Sequence, residues 1–145
     1  MKYVIVIPAR YASTRLPGKP LIEIFGKTVL QRTVEQCFKA EPNRNKIIVA
    51  TDSNEVEQHC KESNFNVIMT SSSCLTGTDR IAEVADKIDA EYFINVQGDE
   101  PIINPLDIKK IIDLISIGDK NAILNGYAKI QNEEEYLSRT IPKLV

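Results

Sequence analysis

The sequence predicts an α/β fold built on a mostly parallel sheet with helices on both faces. Short apolar runs rich in β-branched residues alternate along the 145-residue chain with segments whose apolar residues recur at helical spacing. Such an alternation is typical of βαβ units, whose crossover connections bring successive strands into parallel order. No linker, repeat or low-complexity tract divides the chain, so we expect residues 1–145 to form a single domain.

Four apolar runs predict buried strands, in chain order KYVIVIPA, KIIVAT, NVIMT and EYFINVQ. The three segments between them place apolar residues on one side of a helix, as in KTVLQRTVEQCFKA. Asp52 and Glu55 form a D-x-x-E capping box that predicts the start of the second helix. The third helix follows SSSCLTGT, where Thr78 and Asp79 are the candidate caps.

After the fourth strand, the apolar spacing predicts a helix that starts near Pro105, a residue that suits a first helical turn. NAILNGYAKI then predicts a strand, NEEEYLS a short helix, and PKLV the start of another strand. Because the sequence ends inside this last predicted strand, we expect residues 1–145 to be the N-terminal part of a longer catalytic domain.

The charge of the chain is small but unevenly distributed. A formal net charge of −2 gives no reason to expect a nucleic acid or a membrane surface as a partner. Residues 1–27 nevertheless carry five cations against Glu23 alone, whereas the rest of the chain is acidic. A locally basic N-terminus in an acidic protein indicates a small anionic ligand.

The three cysteines are odd in number and lack the spacing of metal ligands, so we interpret them as reduced thiols of a cytoplasmic protein. Cys37 and Cys60 lie on apolar helical faces, which predicts that both pack in the core. YVIVIPA is too short for a signal peptide, and no apolar stretch approaches membrane-spanning length. These features also predict a cytoplasmic location.

Three segments carry polar side chains where predicted strands end. They are the first segment, ARYASTRLPGK (residues 9–19), the second segment, TSSSCLTGTDR (residues 70–80), and the third segment, QGDEP (residues 97–101). Ligands of open parallel sheets bind beyond the carboxyl ends of the strands, where the strand order reverses. The first strand normally lies in the middle of such a sheet, so we expect the first and third segments to share a pocket.

The first segment indicates a polyphosphate site formed by Arg10, Arg15 and Lys19. Guanidinium groups grip phosphate oxygens two at a time, and lysine acts as a point charge. Gly18 would allow the backbone to approach the anion, and Pro17 would stiffen the turn. The alternative is a solvated basic loop. Walker A and G-x-G-x-x-G spacings are both absent, which disfavours P-loop ATP hydrolysis and NAD binding through that motif.

The third segment is the predicted metal site. Asp99 follows Gly98 at a strand end, where a carboxylate can hold Mg²⁺ together with substrate phosphate oxygens and water. Glu100 is either a second ligand or a solvent-exposed residue, and the alternative for Asp99 is an ordinary turn aspartate. His59, the single histidine, falls in a predicted helix away from all three segments, so we expect no catalytic role for it.

The second segment offers hydroxyls, a glycine and an arginine just before a helix. The first amides of that helix would suit an anion or the edge of a base, and the alternative is an ordinary capped loop. Together the three segments indicate phosphoryl or nucleotidyl transfer. Residue types and spacing alone identify neither the base nor the acceptor.

Four stretches occur in the chain in this order: IPARYASTRLPGKPL, IIVATD, VIMTSSSCLTGTDRIAEV and INVQGDEPII. They resemble the signatures of the 3-deoxy-manno-octulosonate cytidylyltransferase (CMP-Kdo synthetase) family, over nearly the whole chain. The resemblance implies a Rossmann-like α/β sandwich of the nucleotide-diphospho-sugar transferase type. It also implies an enzyme that couples CTP to 3-deoxy-D-manno-octulosonate (Kdo), releasing pyrophosphate and forming CMP-Kdo for lipopolysaccharide biosynthesis.

The resemblance further implies which residues bind the nucleotide. Arg10, Arg15 and Lys19 would neutralise the triphosphate and its leaving group, and Ala9 would contact the cytosine or ribose through its backbone. The residues that match the family's second nucleotide loop are Ser71, Gly77, Thr78 and Arg80. Family members often carry arginine where this chain has Ser71.

The remaining implied roles concern the sugar, the metal and the assembly. Gln97 would contact the sugar acid, Asp99 would hold the cofactor Mg²⁺, and Arg10, Lys19 and Asp99 would be the catalytic residues. The family's second metal-binding aspartate, most sugar contacts and much of a homodimer interface belong to a later segment that this sequence lacks. Arg139, in SRTIP, is not assigned to the site.

Two alternatives stay open at this stage. One is a cytidylyltransferase for another acidic sugar, such as an amino-Kdo or a nonulosonate, which would share the CTP loop. The other is a non-catalytic module that binds CTP.

Overall fold

The structure is a computed structural model, and it describes residues 1–12, 16–115, 117–118 and 122–138. Its elements, in chain order, are β1 (Tyr3–Pro8), β2 (Glu23–Ile24), β3 (Lys27–Thr28), α1 (Val29–Ala40), β4 (Ile47–Thr51), α2 (Asn54–Glu62), β5 (Val67–Met69), α3 (Gly77–Ala85), β6 (Tyr92–Asn95), α4 (Pro105–Ile115) and α5 (Glu133–Leu137).

The main sheet is parallel, with the strand order β5-β4-β1-β6. β1 pairs with β4 along one edge and with β6 along the other, so it lies inside the sheet as predicted. The chain passes first to β4 and β5 on one side of β1 and then crosses to β6 on the other side. The order therefore reverses at β1, and the crevice beyond its carboxyl end is the expected ligand site of such a sheet.

Helices cover both faces of this sheet, as predicted. All six residues of β1 are buried, and the first five, Tyr3 to Ile7, alternate between two apolar clusters because successive strand side chains point to opposite faces. Ile5 and Ile7 pack in the cluster that contains residues of α1, α2 and α4, whereas Val4 and Val6 pack with Val84 of α3. A strand buried on both sides has to be apolar throughout, which explains the run YVIVIP.

The caps of α2 and α3 differ from the prediction. Ser53, not Asp52, caps α2: its hydroxyl accepts a hydrogen bond from the Val56 amide at 3.2 Å, while Asp52 forms an ion pair with Arg80. Thr76 caps α3, and Asp79 completes a capping box with it. The cap of α2 lies one residue from the predicted one, because the Asp52 carboxylate is engaged by Arg80, a partner that local spacing does not reveal. The cap of α3 lies two residues before the nearer of its two predicted candidates.

Two short segments were assigned incorrectly or missed. The antiparallel β2–β3 pair was not predicted; its turn places Phe25 and Gly26 at φ 49° and 73°, in the left-handed region. NAILNGYAKI was predicted as a strand, but its described residues, 122–130, form none. A strand needs a neighbouring strand to satisfy its backbone, and none of the described strands pairs with these residues.

The other C-terminal predictions have clear outcomes. α4 starts at Pro105 and α5 occupies the predicted short helix, so both are confirmed. PKLV and Arg139 lie outside the described residues. Within the described ranges, no helix has the length and apolar character needed to cross a membrane.

The buried cysteines generate a labelling prediction. Cys37 and Cys60 have no solvent-exposed surface, and burial raises the pKa of each thiol to about 12, whereas Cys74 is partly exposed in the loop before α3. The pKa of the Cys74 thiol is raised as well, so the expected difference in reactivity rests on access of the reagent, which the core denies to Cys37 and Cys60. We therefore expect a disulfide reagent at pH 8 to modify Cys74 alone in the native protein and all three cysteines in urea. Equal rates of modification at the three thiols in the native protein would contradict the burial of Cys37 and Cys60.

Candidate functional site

A cavity of about 440 Å³ opens beyond the carboxyl ends of β1 and β6. The first segment contributes the largest share of its described lining, the third segment lies opposite, and Gly77 at the start of α3 completes the wall. Six of the predicted site residues line this one cavity: Ala9, Arg10, Lys19, Gly77, Gln97 and Asp99. The prediction that the first and third segments share a pocket is therefore confirmed.

The central contact of the cavity is an ion pair between the two segments. Lys19 Nζ lies 2.6 Å from Asp99 Oδ2, and the two side chains are 42% and 45% exposed. The backbone before Lys19 explains its direction. Gly18 adopts φ 70°, its amide donates to the Tyr11 carbonyl at 3.0 Å, and a 3-10 turn begins at Lys19. The cation and the carboxylate are both accessible to a ligand that enters the cavity.

Gly98 allows the third segment to lie directly against β1. Its amide donates to the Pro8 carbonyl at 3.2 Å, and a Cβ atom at this position would lie 2.8 Å from that carbonyl oxygen. Thr33 of α1, which is fully buried, donates from its hydroxyl to the Gly98 carbonyl at 3.3 Å. The turn that carries Asp99 is thus held by hydrogen bonds from two neighbouring elements.

The two remaining cations of the first segment have different outcomes. The Arg10 guanidinium donates to the Leu75 carbonyl and so connects the first segment to the second, while Arg10 itself is exposed at the cavity. Arg15 lies outside the described residues. Ala9 is buried, and its amide donates to the Ala50 carbonyl at 2.8 Å, which extends the pairing of β1 with β4.

The second segment reaches the cavity only through Gly77. Of the described residues, Ser71, Thr78 and Arg80 are not among those that line it. Ser71 and Thr78 are exposed, and the Ser71 hydroxyl lies 2.7 Å from that of Ser73. Because Ser71 and Thr78 do not line the cavity, their contacts with a nucleotide stay predictions.

Arg80 is in a different position from the one predicted. It is completely buried, and its guanidinium donates to Asp52 at 3.0 Å and to the Thr70 hydroxyl. The side chain points inward from the first turns of α3, toward the ends of β4 and β5. Its charge is therefore already matched by an internal partner beneath the second segment, which is how a buried guanidinium avoids a large desolvation penalty.

Gln97 and His59 occupy the places that the sequence suggested. Gln97 lines the cavity, and its Nε2 donates to the Asn95 side chain at 3.3 Å. His59 lies on α2 with Nε2 2.9 Å from the hydroxyl of Thr28, which is also the cap of α1. It is not among the residues that line the cavity, and the expectation that it has no catalytic role stays a prediction.

Some residues that shape the site were missed from the sequence. Leu16 and Pro20 line the cavity, Thr33 supports the third segment, and Glu83 accepts a hydrogen bond from the Ser71 amide at 2.7 Å. Thr33 and Glu83 lie within helices, where one polar residue among many carries no local sign of its long-range contact. Only the folded chain brings them to the loops.

The cavity offers few side chains that could hold Mg²⁺. The part of the chain that the structure describes holds no group of three or more histidine, cysteine or carboxylate side chains that could bind a metal ion. Asp99 does supply one accessible carboxylate at the cavity. Mg²⁺ commonly takes one or two protein carboxylates and fills its other positions with substrate phosphates and water. The residues present therefore fit a magnesium ion that arrives with a phosphorylated ligand.

A doubly wound sheet with cations and one carboxylate at its switch point is typical of proteins that bind phosphorylated ligands. The particular family follows from comparison with known proteins. A family model described as cytidylyltransferase matches residues 4–143, and the chain belongs to that family.

Individual relatives carry a more specific name. The chain is 42% identical over 144 residues to the 3-deoxy-manno-octulosonate cytidylyltransferase of Protochlamydia amoebophila, covering 97% of this chain and 55% of that protein. It is also 42% identical over 145 residues to the enzyme of that name from Geobacter metallireducens, covering 100% of this chain and 57% of that protein. These matches confirm the resemblance found in the sequence. The chain spans little more than half the length of these relatives.

A solved structure supports the same assignment. The fold is similar to CMP:2-keto-3-deoxy-manno-octonic acid synthetase in complex with CTP, with a TM-score of 0.73 and 42% sequence identity. The match covers 80% of this chain and 48% of that structure. The prediction of a Rossmann-like α/β fold is therefore confirmed.

The close approach of the third segment to β1 gives a stability prediction. Gly98→Ala should lower the free energy of unfolding by ~1–3 kcal/mol, because a Cβ 2.8 Å from the Pro8 carbonyl oxygen forces the backbone to shift. Gly126→Ala is the matched control, since a Cβ there has no atom within 4 Å. Urea unfolding of both variants measures the difference. An unchanged midpoint for Gly98→Ala would show that the two strand ends are not in this contact.

Proposed function

We propose that this chain forms the nucleotide-binding part of an enzyme that couples CTP to Kdo, producing CMP-Kdo and pyrophosphate. The observation that carries the proposal is the 2.6 Å contact of Lys19 with Asp99 in one cavity, which places a cation suited to phosphate beside a carboxylate suited to Mg²⁺. The cavity of about 440 Å³ lies within the usual range for small-ligand sites. The names of the relatives, and of the similar structure with CTP, support this substrate pair.

The proposed reaction is a nucleotidyl transfer. The anomeric hydroxyl oxygen of the sugar forms a bond to the α-phosphorus of CTP, the bond from that phosphorus to the β-phosphate breaks, and pyrophosphate leaves while the hydroxyl loses its proton. Negative charge grows on the departing pyrophosphate. Arg10 and Lys19, both at the cavity, are placed to offset that charge by electrostatic stabilisation. Gln97 lines the same cavity and is proposed to contact the sugar acid.

Asp99 is the residue proposed to hold Mg²⁺. A bound magnesium ion would supply charge neutralisation to the phosphate oxygens. In the structure, Lys19 and Asp99 are each other's partners. Nucleotide binding therefore requires an exchange, in which Lys19 turns to phosphate oxygens and the Asp99 carboxylate becomes available. A cytoplasmic location and a homodimer of the longer protein stay predictions.

Two other functions are distinguished by the same experiment. A cytidylyltransferase for another acidic sugar would have the same CTP cavity and a different acceptor. A module that binds CTP without turnover is favoured by a specific observation: among the described residues that line the cavity, Asp99 is the one carboxylate.

The test mixes the protein with CTP, Mg²⁺ and single sugar acids, and follows pyrophosphate release. We expect release with Kdo. Lys19→Ala should lower kcat/KM for CTP by about 10- to 100-fold, the size expected for the loss of a charge-assisted hydrogen bond to phosphate. Lys27→Ala is the matched control, because Lys27 is another half-exposed lysine paired to a carboxylate, at 2.8 Å from Glu35 and outside the cavity. Pyrophosphate release with a different sugar acid, and not with Kdo, would identify that sugar acid as the acceptor. CTP binding in calorimetry without pyrophosphate release would indicate the binding module.

A separate prediction concerns the metal. Asp99→Asn should remove the gain in CTP affinity that Mg²⁺ provides, because an amide binds magnesium far less well than a carboxylate does. Calorimetry with and without EDTA measures this gain independently of turnover. Asp107→Asn is the control, since Asp107 also pairs with a lysine, at 3.0 Å from Lys110, but on α4. An undiminished magnesium effect in Asp99→Asn would reject Asp99 as the ligand.

A further inference from the structure

The loop of residues 70–76, which connects β5 to α3, is fastened by the helix that follows it. Its end is held by the Thr76–Asp79 capping box, in which the Thr76 amide donates to the Asp79 carboxylate at 2.8 Å. Its beginning is held from below, where the Thr70 hydroxyl accepts a hydrogen bond from Arg80. Both contacts involve the first turn of α3, so the two ends of the loop share one anchor.

Glu83, one turn further along α3, holds the middle of the same loop. Its carboxylate accepts a hydrogen bond from the Ser71 amide at 2.7 Å and another from the Cys74 thiol at 3.3 Å. The Ser71 hydrogen bond, the largest influence, lowers the pKa of Glu83, so the carboxylate is charged at neutral pH. Charged acceptors make stronger hydrogen bonds than neutral ones.

The loop in turn holds a predicted catalytic residue. The carbonyl of Leu75, which directly follows Cys74, accepts a hydrogen bond from the Arg10 guanidinium at the cavity. A continuous series of contacts thus leads from Glu83, through Cys74 and Leu75, to Arg10. The position of the guanidinium depends on where the loop places the Leu75 carbonyl.

The surface ion pair of Glu83 contributes too little to stability to be the main role of this side chain. Its ion pair with Lys87, at 3.5 Å, is an i, i+4 pair of partly exposed side chains, which adds little to stability. The Ser71 residue is exposed, so water could satisfy its amide without Glu83. The hydrogen bonds of Glu83 to the loop therefore restrict its shape more than they support the core.

We propose that Glu83 is a positioning residue of the nucleotide site, which holds loop 70–76 in the conformation that directs Arg10 toward the triphosphate. This inference rests on the proposed function, because it assigns to the loop a role in CTP binding. Glu83 touches neither the cavity nor the reacting atoms and acts through the loop backbone. Preorganisation of this kind matters because small displacements of a binding group reduce its contribution steeply.

The test uses Glu83→Ala, with Glu83→Gln as the conservative variant and Glu57→Ala as the matched control. Glu57 also forms an i, i+4 pair with a lysine, at 2.9 Å from Lys61, and its side chain is 28% exposed against 29% for Glu83. We expect hydrogen exchange at the Ser71 amide, measured by NMR without nucleotide, to accelerate in Glu83→Ala and to stay slow in Glu57→Ala. Glu83→Gln should restore protection, since the amide oxygen can still accept the bond.

Calorimetric CTP binding supplies the second readout. Glu83→Ala should weaken CTP binding about tenfold, with thermal stability close to that of Glu57→Ala, and should add little in an Arg10→Ala background because the two residues act in series. Unchanged Ser71 exchange, or faster exchange with unchanged CTP affinity, would overturn the proposal. Additive effects of the two substitutions would also overturn it. A wild-type protein that does not bind CTP would instead overturn the proposed function, and the exchange experiment would still report whether Glu83 holds the loop.

Discussion

The structure depends on the parallel pairing of β1 with β6 and on its continuation past the end of both strands. Val96 and Gly98 extend the pairing through amide hydrogen bonds to the Val6 and Pro8 carbonyls, at 3.1 Å and 3.2 Å. The residue after Gly98 is therefore delivered beside the loop that leaves β1. Every feature of the cavity that concerns the third segment, including the contact of Asp99 with Lys19, follows from this extension.

The charges of the site divide into two groups with different surroundings. Lys19, Asp99 and Arg10 are accessible, and their partners in the structure are groups that a ligand can replace. Arg80 and Asp52 lie below, where the guanidinium has no contact with solvent. Breaking a buried pair is costly because it leaves an uncompensated charge, whereas an exposed pair is exchanged at little cost. This difference separates groups that can bind a ligand from groups that keep the loops in place.

Comparison with known proteins adds the family and the nucleotide-binding relatives, but it also shows that this chain spans little more than half of their length. The described residues contain a four-stranded parallel sheet whose order reverses at β1, with β1 buried on both faces. They provide one accessible carboxylate at the cavity. Most of the cavity residues with a proposed role are therefore assigned to the nucleotide and its metal, and Gln97 is the one proposed to contact the sugar acid.

The sequence by itself determined the strands of the main sheet, the helices between them and the three polar segments at the strand ends. Apolar runs such as YVIVIP and the helical spacing of residues 29–40 carry that information locally, because burial on two faces or on one stripe imposes a distinct pattern. Only the tertiary structure decided which polar side chains are paired inside the protein and which are accessible to a ligand. Asp52 looked like a helix cap and Arg80 like a ligand contact, yet the two are joined across 28 positions of the chain. Glu83 carried no signal at all, because its hydrogen bond to the Ser71 amide exists only after α3 has packed beside the end of β5.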